Sequence, residues 1–137
     1  MSRPRSDYEL RLLLRFAQAQ VGDKAALEAQ LQSATVSSES PGFLNLAVPN
    51  DAPRIVDQTG YPIQGWYDDE DGGIVTLILH IDGAAKIVSR LERFRPDGGP
   101  IIERSPDAAA VNVQAEVLDG SGQAATFDRE HGWKRYR

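Results

Sequence analysis

The residue types best suited to chemistry are concentrated in one acidic run, which two aromatic residues precede. Carboxylates at this density could hold a cation or attract a basic partner. Aromatic side chains beside charge are typical of protein interfaces. The candidate partner-binding site therefore comprises six consecutive residues: Trp66, Tyr67, Asp68, Asp69, Glu70 and Asp71.

The acidic run does not match an EF-hand calcium loop, which needs glycine at its sixth position and glutamate at its twelfth. Counting from Asp69 puts Ile74 and His80 at those positions, and counting from Asp68 puts Leu79 at the twelfth. We therefore expect no metal site and no cofactor, with a loose cation site as the alternative. Recognition of a protein is the better interpretation of the acids.

The chain also lacks a complete catalytic set. Consecutive acids in a turn are usually all solvated, whereas acid–base catalysis needs one carboxyl in an apolar setting. The histidines, His80 and His131, are far apart, and the carboxylate nearest to His80 along the chain is Asp82. We expect His80 to be packed or half-exposed on a central strand. No G-x-S-x-G motif or phosphate-binding glycine loop occurs, so we expect no catalytic residue.

Charge and composition narrow the classes of partner. The net charge is −5, and residues 49–83 carry seven acids and one base, which favours a cationic partner over nucleic acid. The aromatic and basic tail at 133–137 is too short to reverse this expectation. Cysteine is absent, which excludes thiolate chemistry, disulfides and cysteine-based zinc sites.

The sequence favours a soluble, cytoplasmic protein without a membrane partner. Residues 1–5 are followed by charged residues and not by the apolar stretch of a secretory signal. The longest apolar run, 74–79, is far shorter than the ~20 residues that a membrane-spanning helix needs.

The N-terminal part predicts a helical hairpin. A capping box at residues 6–9 precedes a helix from about Asp7 to Gln20, and a second helix follows at about 24–32. The turn between them is short, which favours antiparallel neighbours. Arg11 and Arg15 lie four residues apart on the polar side of the first helix, so we expect both to face solvent.

The rest of the chain alternates like β-strands joined by glycine- and proline-containing turns. The segment 74–81 is apolar on both faces and should be the central strand. The segment 86–94 also fits a helix, but a bulge near Ser89–Arg90 reconciles it with a strand, which we prefer. The predicted strands are 35–38, 43–48, 62–67, 74–81, 86–94, 110–117 and 124–127.

These elements predict an α+β fold, with an N-terminal helical hairpin packed on an antiparallel sheet of about five to seven strands. Residues 1–106 form a single domain in this interpretation. Residues 107–137 are a C-terminal hairpin or tail that extends the domain, or are partly disordered.

The segments 25–31 (AALEAQL), 75–83 (VTLILHIDG) and 89–94 (SRLERF) carry a family resemblance. Together they resemble small uncharacterised bacterial proteins, common in actinobacteria, that combine a helical hairpin with strands of this type. The resemblance covers about Tyr8 to Pro106. It implies the fold and supplies no activity and no catalytic residues.

The leading functional hypothesis is a non-enzymatic protein that binds a basic protein through the acidic hairpin face. An immunity protein that neutralises a basic toxin is one concrete form. The first alternative is a ligand-binding or enzymatic domain with a pocket between the sheet and the Pro49–Tyr61 loop. The second is a structural subunit that associates with copies of itself through a sheet edge.

Overall fold

The computed structural model describes residues 2–18, 23–55, 63–82, 84–118, 124–128 and 132–135. The helices are α1 (Asp7–Ala17) and α2 (Lys24–Ser33). The strands are β1 (Arg3–Pro4), β2 (Thr35–Ser40), β3 (Phe43–Ala47), β4 (Ile63–Asp68), β5 (Ile74–Asp82), β6 (Ile87–Phe94), β7 (Asn112–Leu118), β8 (Ala124–Asp128) and β9 (Gly132–Arg135).

The described strands form one antiparallel sheet in the order β1-β2-β3-β6-β5-β4-β7-β8-β9. Seven of them have at least five residues, and the two short strands, β1 and β9, lie at the edges. The predicted α+β fold, with N-terminal helices and an antiparallel sheet, is confirmed. β7 pairs with β4 and continues the same sheet beyond residue 106.

The central strand β5 separates two faces of the sheet. Val75, Leu77 and Leu79 are buried at 1% exposure or less and point toward the helices. Ile74 on the other face is 49% exposed, because neither helix covers that side. We call the two sides the covered face and the open face. This alternation is the one expected for a strand whose two sides differ in burial.

The helices form because their caps and apolar stripes agree. In α1, Ser6 accepts from the Glu9 backbone N–H at 3.1 Å, and Glu9 Oε1 accepts from the Ser6 N–H at 2.7 Å, which completes the predicted capping box. Phe16 is fully buried against Gly65 of β4. A Cβ atom at Gly65 would lie 2.9 Å from the Phe16 ring, so this close approach requires glycine.

β6 is a strand and carries the predicted bulge. Ile81 pairs with Val88 and His80 pairs with Arg90, so Ser89 is the extra residue. Gln30 of α2 stabilises this irregular segment. Its side chain is fully buried, and its Oε1 accepts from the Val88 backbone N–H at 3.0 Å.

The prediction that Arg15 faces solvent is wrong. Its side chain is buried, and Nε donates to the Val111 carbonyl at 2.8 Å. The short 3-10 helix Ala108–Ala110 packs against α1 and covers this side of it. Arg11 is exposed as predicted.

The first helix ends at Ala17, with Gln18 as its C-cap, before the predicted end near Gln20. Other expectations fall outside the described residues: the loop residues 56–62, the turn at 119–122, and His131. Within the described part of the chain, neither helix has the length and apolarity needed to cross a membrane.

Candidate functional site

The acidic turn (residues 68–71) joins β4 to β5 and is hydrogen-bonded to the segment that connects β6 to β7. We call that segment, residues 95–111, the crossover loop. Asp69 lies at the point of contact and is 5% exposed. Its carboxylate accepts from the backbone N–H groups of Ile102 at 2.9 Å and Glu103 at 2.7 Å. Asp69 therefore holds the crossover loop against the end of the sheet.

Burial alone would raise the pKa of Asp69. The backbone N–H groups of Ile102, Glu103 and Glu70 and the Arg95 guanidinium outweigh it and lower the pKa to about 2. The carboxylate is consequently ionised at neutral pH. It acts as an acceptor within the protein and not as a proton donor.

Arg95 is the cation at the centre of this network. Its Nη1 donates to Asp69 at 3.1 Å and to Asp71 at 2.9 Å, and its Nη2 donates to Asp97 at 2.5 Å. The guanidinium side chain is only 5% exposed. The pKa of Asp71 is lowered by the Gly73 backbone N–H and by Arg95. Two of the four carboxylates in the acidic turn are thus paired with a cation of the same chain.

The other two carboxylates in the turn, Asp68 and Glu70, are exposed. Neither side chain forms an ion pair or accepts a hydrogen bond within the described residues. Asp68 pairs with Ile74 across the hairpin, and both lie on the open face. The unpaired negative charge of the turn is therefore next to an exposed apolar side chain.

The two aromatic residues of the candidate site are separated by the pleat of β4. Tyr67 is buried on the covered face, and its hydroxyl donates to the Glu103 carbonyl at 2.6 Å. Trp66 is half-buried on the open face. Of the six predicted residues, Tyr67 and Asp69 are therefore buried and hydrogen-bonded within the protein, so a partner cannot contact them directly. The open face and its rim hold Trp66, Asp68 and Glu70, whereas Asp71 is exposed but paired.

The register of the sheet shows which residues surround Trp66. Trp66 pairs with Thr76 of β5, and Thr76 pairs with Phe94 of β6. All three are half-buried, so they present part of their surface to solvent. Directly paired residues of an antiparallel sheet share a face, and their side chains lie close together. A row of two aromatic residues with Thr76 between them therefore crosses the open face next to the Asp68–Ile74 pair.

His80 lies further along the open face and is hydrogen-bonded to Glu92. Its Nε2 is 2.9 Å from Glu92 Oε1, with side-chain exposures of 29% and 27%. The half-exposed position expected for His80 is confirmed. The carboxylate beside His80 is that of Glu92 on the neighbouring strand, whereas Asp82 is only the nearest carboxylate along the chain. The register of β5 and β6 decides this neighbour, and the sequence does not give that register. Arg90 lies over the Phe43 ring at 4.7 Å.

The open face and the acidic turn bring together apolar, aromatic and acidic side chains. Within the described residues, no cluster of three or more His, Asp or Glu side chains is arranged to hold a metal ion. The cross-strand partner of His80 is Arg90, which is not a nucleophile. The site instead offers an apolar and aromatic surface with acids at its rim, which is the usual composition of a protein interface.

No family model matches this chain, and neither does any of the curated proteins or solved structures with which it was compared. The resemblance to small actinobacterial proteins therefore stays a prediction. The function has to be inferred from the geometry of the open face and the acidic turn.

Proposed function

We propose that this chain is a non-enzymatic protein that binds a basic protein partner through the open face and the adjacent acidic turn. The observation that carries the proposal is the position of the exposed Ile74 side chain. It lies directly across the hairpin from the unpaired Asp68, one same-face position along β5 from Thr76, the partner of Trp66, and Glu70 follows in the same turn.

The apolar part of this surface supplies the attraction. Ile74 exposes 49% of its surface, and Trp66 and Phe94 are each partly exposed beside it. Large aromatic side chains that a partner can desolvate account for much of the binding energy in protein interfaces. A rigid sheet also loses little conformational freedom when it binds, which favours affinity.

The charged part selects the sign of the partner. Asp68 and Glu70 have no cation of their own within the described residues, whereas Asp69 and Asp71 are paired with Arg95. A partner with lysine or arginine around an apolar patch would match both features. Exposed acids at a rim act mainly on the association rate and on specificity. An immunity protein that neutralises a cationic toxin is one form that fits.

The experiment is partner capture from a lysate of host cells with the wild-type chain and with the double charge reversal D68K/E70K. A matched control, D7K/D51K, makes the same change in net charge at exposed residues elsewhere. We expect capture of a basic protein by the wild type and the control. Binding to D68K/E70K should be weaker by about tenfold or more, because two rim attractions become repulsions.

Equal capture by all three proteins would contradict the role of the acidic turn, and capture of only acidic proteins would contradict the sign of the partner. Light scattering on the isolated chain provides a second check. A mass of one chain is expected, whereas a stable dimer that disappears in D68K/E70K would show that the face binds a second copy instead.

A further inference from the structure

A cavity of about 300 Å³ lies on the opposite side of the sheet from the open face. It opens between the first turn of α1, the β2–β3 turn and residues 104–105 of the crossover loop. Phe43 lines it where β3 begins, whereas the loop after Val48 leaves from the other end of that strand. The cavity is therefore distinct from the pocket expected beside the Pro49–Tyr61 loop.

The floor of the cavity is apolar. Four leucines from α1 and from three neighbouring strands form it: Leu12, Leu44, Leu77 and Leu91. Its volume is at the lower end of the ~300–1,000 Å³ that small-molecule sites span. The size and lining suit an apolar body of up to about eight carbon atoms.

The guanidinium of Arg93 stands at one wall with donors to spare. Nη1 donates to the Arg104 carbonyl at 2.7 Å, while Nε is buried without a hydrogen-bond partner. Arg93 forms no ion pair with a described carboxylate, and neither does Arg104, which also lines the cavity. The Arg93 Nη2 forms no hydrogen bond within the described residues and is not among the buried atoms, so its two N–H groups can donate to an acceptor that enters the cavity.

The acids at the cavity rim do not supply that acceptor. Glu9 and Glu39 both line the cavity, but Arg3 binds each of them, at 2.8 Å and 3.3 Å. The side-chain hydrogen bond from Arg3 is the main cause of the lowering of the Glu9 pKa to about 2. Both rim carboxylates are thus engaged by Arg3, and the three arginines and two glutamates at the cavity leave a net charge of +1, carried on the side of Arg93 and Arg104.

We propose that this cavity binds a small monocarboxylate with an apolar body. The carboxylate accepts from the Arg93 Nη2 and from the Arg104 guanidinium, and the apolar body lies on the leucine floor. Guanidinium and carboxylate groups match in planarity and charge, and such charge-assisted hydrogen bonds are stronger than neutral ones. This proposal is independent of the protein-binding face, because the two surfaces lie on opposite sides of the sheet.

Binding of three probes to the wild-type chain tests the chemical class. The probes are octanoate, octan-1-ol and octylamine, which share a chain length and differ in the charge of the head group. Two-dimensional NMR should show octanoate shifting the amide signals of Leu44, Leu91 and Arg93, with a Kd below about 1 mM. Octanol should bind at least about tenfold more weakly, and octylamine should not bind at these residues.

Two variants on the same strand test the assignment of the arginine. Arg93 and Arg90 are both in β6 but lie on opposite faces, so R93Q and R90Q remove the same charge from different sides. R93Q should weaken octanoate binding by about tenfold or more, and R90Q should leave it unchanged. R104Q, at an exposed residue, serves as a second variant with an expected smaller loss.

The proposal is overturned by any of three results. Octanoate could fail to bind the wild-type chain at millimolar concentration, octanol could bind as tightly as octanoate, or R93Q and R104Q could both bind as tightly as the wild type. Because the probe series uses the wild-type chain alone, the comparison of head groups stands even where a variant fails to fold.

Discussion

Gln30 offers the sharpest test of how the helices position the open face. Its amide connects α2 to the start of β6: Nε2 donates to the carbonyls of Pro53 at 2.7 Å and Lys86 at 3.1 Å, and Oε1 accepts from Val88 at 3.0 Å. Val88 directly precedes the bulge residue Ser89, after which β6 pairs with β5 in a register shifted by one residue. The change with the least effect on volume is Gln30→Met, which removes the three hydrogen bonds.

The expected destabilisation depends on which of the three backbone groups keeps another hydrogen-bond partner in the Gln30→Met variant. The Lys86 carbonyl also accepts from the Ile55 N–H at 3.1 Å, and Pro53 is exposed, so water can replace that bond. The Val88 N–H is left without a partner in a residue that is only 1% exposed. An orphaned buried N–H costs about 1–3 kcal/mol, and the loss of the other bonds adds about 1 kcal/mol. We expect about 3 kcal/mol of destabilisation in total.

The assay is chemical and thermal unfolding of Gln30→Met beside Gln32→Met, an exposed residue of the same helix. The Gln30 variant should lower the Tm by about 10 °C, and the control should stay within about 0.5 kcal/mol of the wild type. Equal stability of the two variants would refute the account, since it would mean that α2 is held to β6 by apolar contact alone.

Two further predictions concern the covered face and the acidic turn. The Asp69 pKa is lowered from 3.8 to about 2, so its contribution to stability is present above about pH 4 and is lost as the pH falls toward 2. The Tm difference between the wild type and D69N should therefore shrink over that window. A difference that does not change with pH would contradict the linkage. Gly65→Ala should lower the free energy of unfolding by about 1–3 kcal/mol, because the new methyl group meets the Phe16 ring. Gly42→Ala, whose methyl group would make only an ordinary contact at 3.6 Å, should cost less. Equal costs of the two substitutions in denaturant unfolding would contradict the close approach of Gly65 to Phe16.

Local patterns were sufficient to predict most of the fold. The capping box starts α1, and the alternation of β5 separates its buried and exposed sides as expected. The bulge at Ser89 was predictable because a short turn and a helix-like spacing had to be reconciled within one segment. Each of these features depends on residues within about ten positions of one another, so the sequence contains the necessary information.

Contacts between distant segments could not be predicted in the same way. The acidic turn looked like a free charged surface, but Arg95 pairs with Asp69 and Asp71 from 24 or more positions away. Arg15 similarly finds the Val111 carbonyl 96 positions along the chain. The only local hint was the placement of an arginine at the start of a loop rich in glycine and proline. A pattern of that kind does not specify a partner.

The most direct test of the central claim is the affinity of the purified partner for a chain altered in the middle of the open face. Thr76→Lys places a bulky cation between Trp66 and Phe94, and Gln32→Lys makes the same charge change on α2. Titration calorimetry should show at least about tenfold weaker binding for Thr76→Lys and unchanged binding for Gln32→Lys. Full affinity in the Thr76 variant would contradict the assignment of the open face as the binding surface.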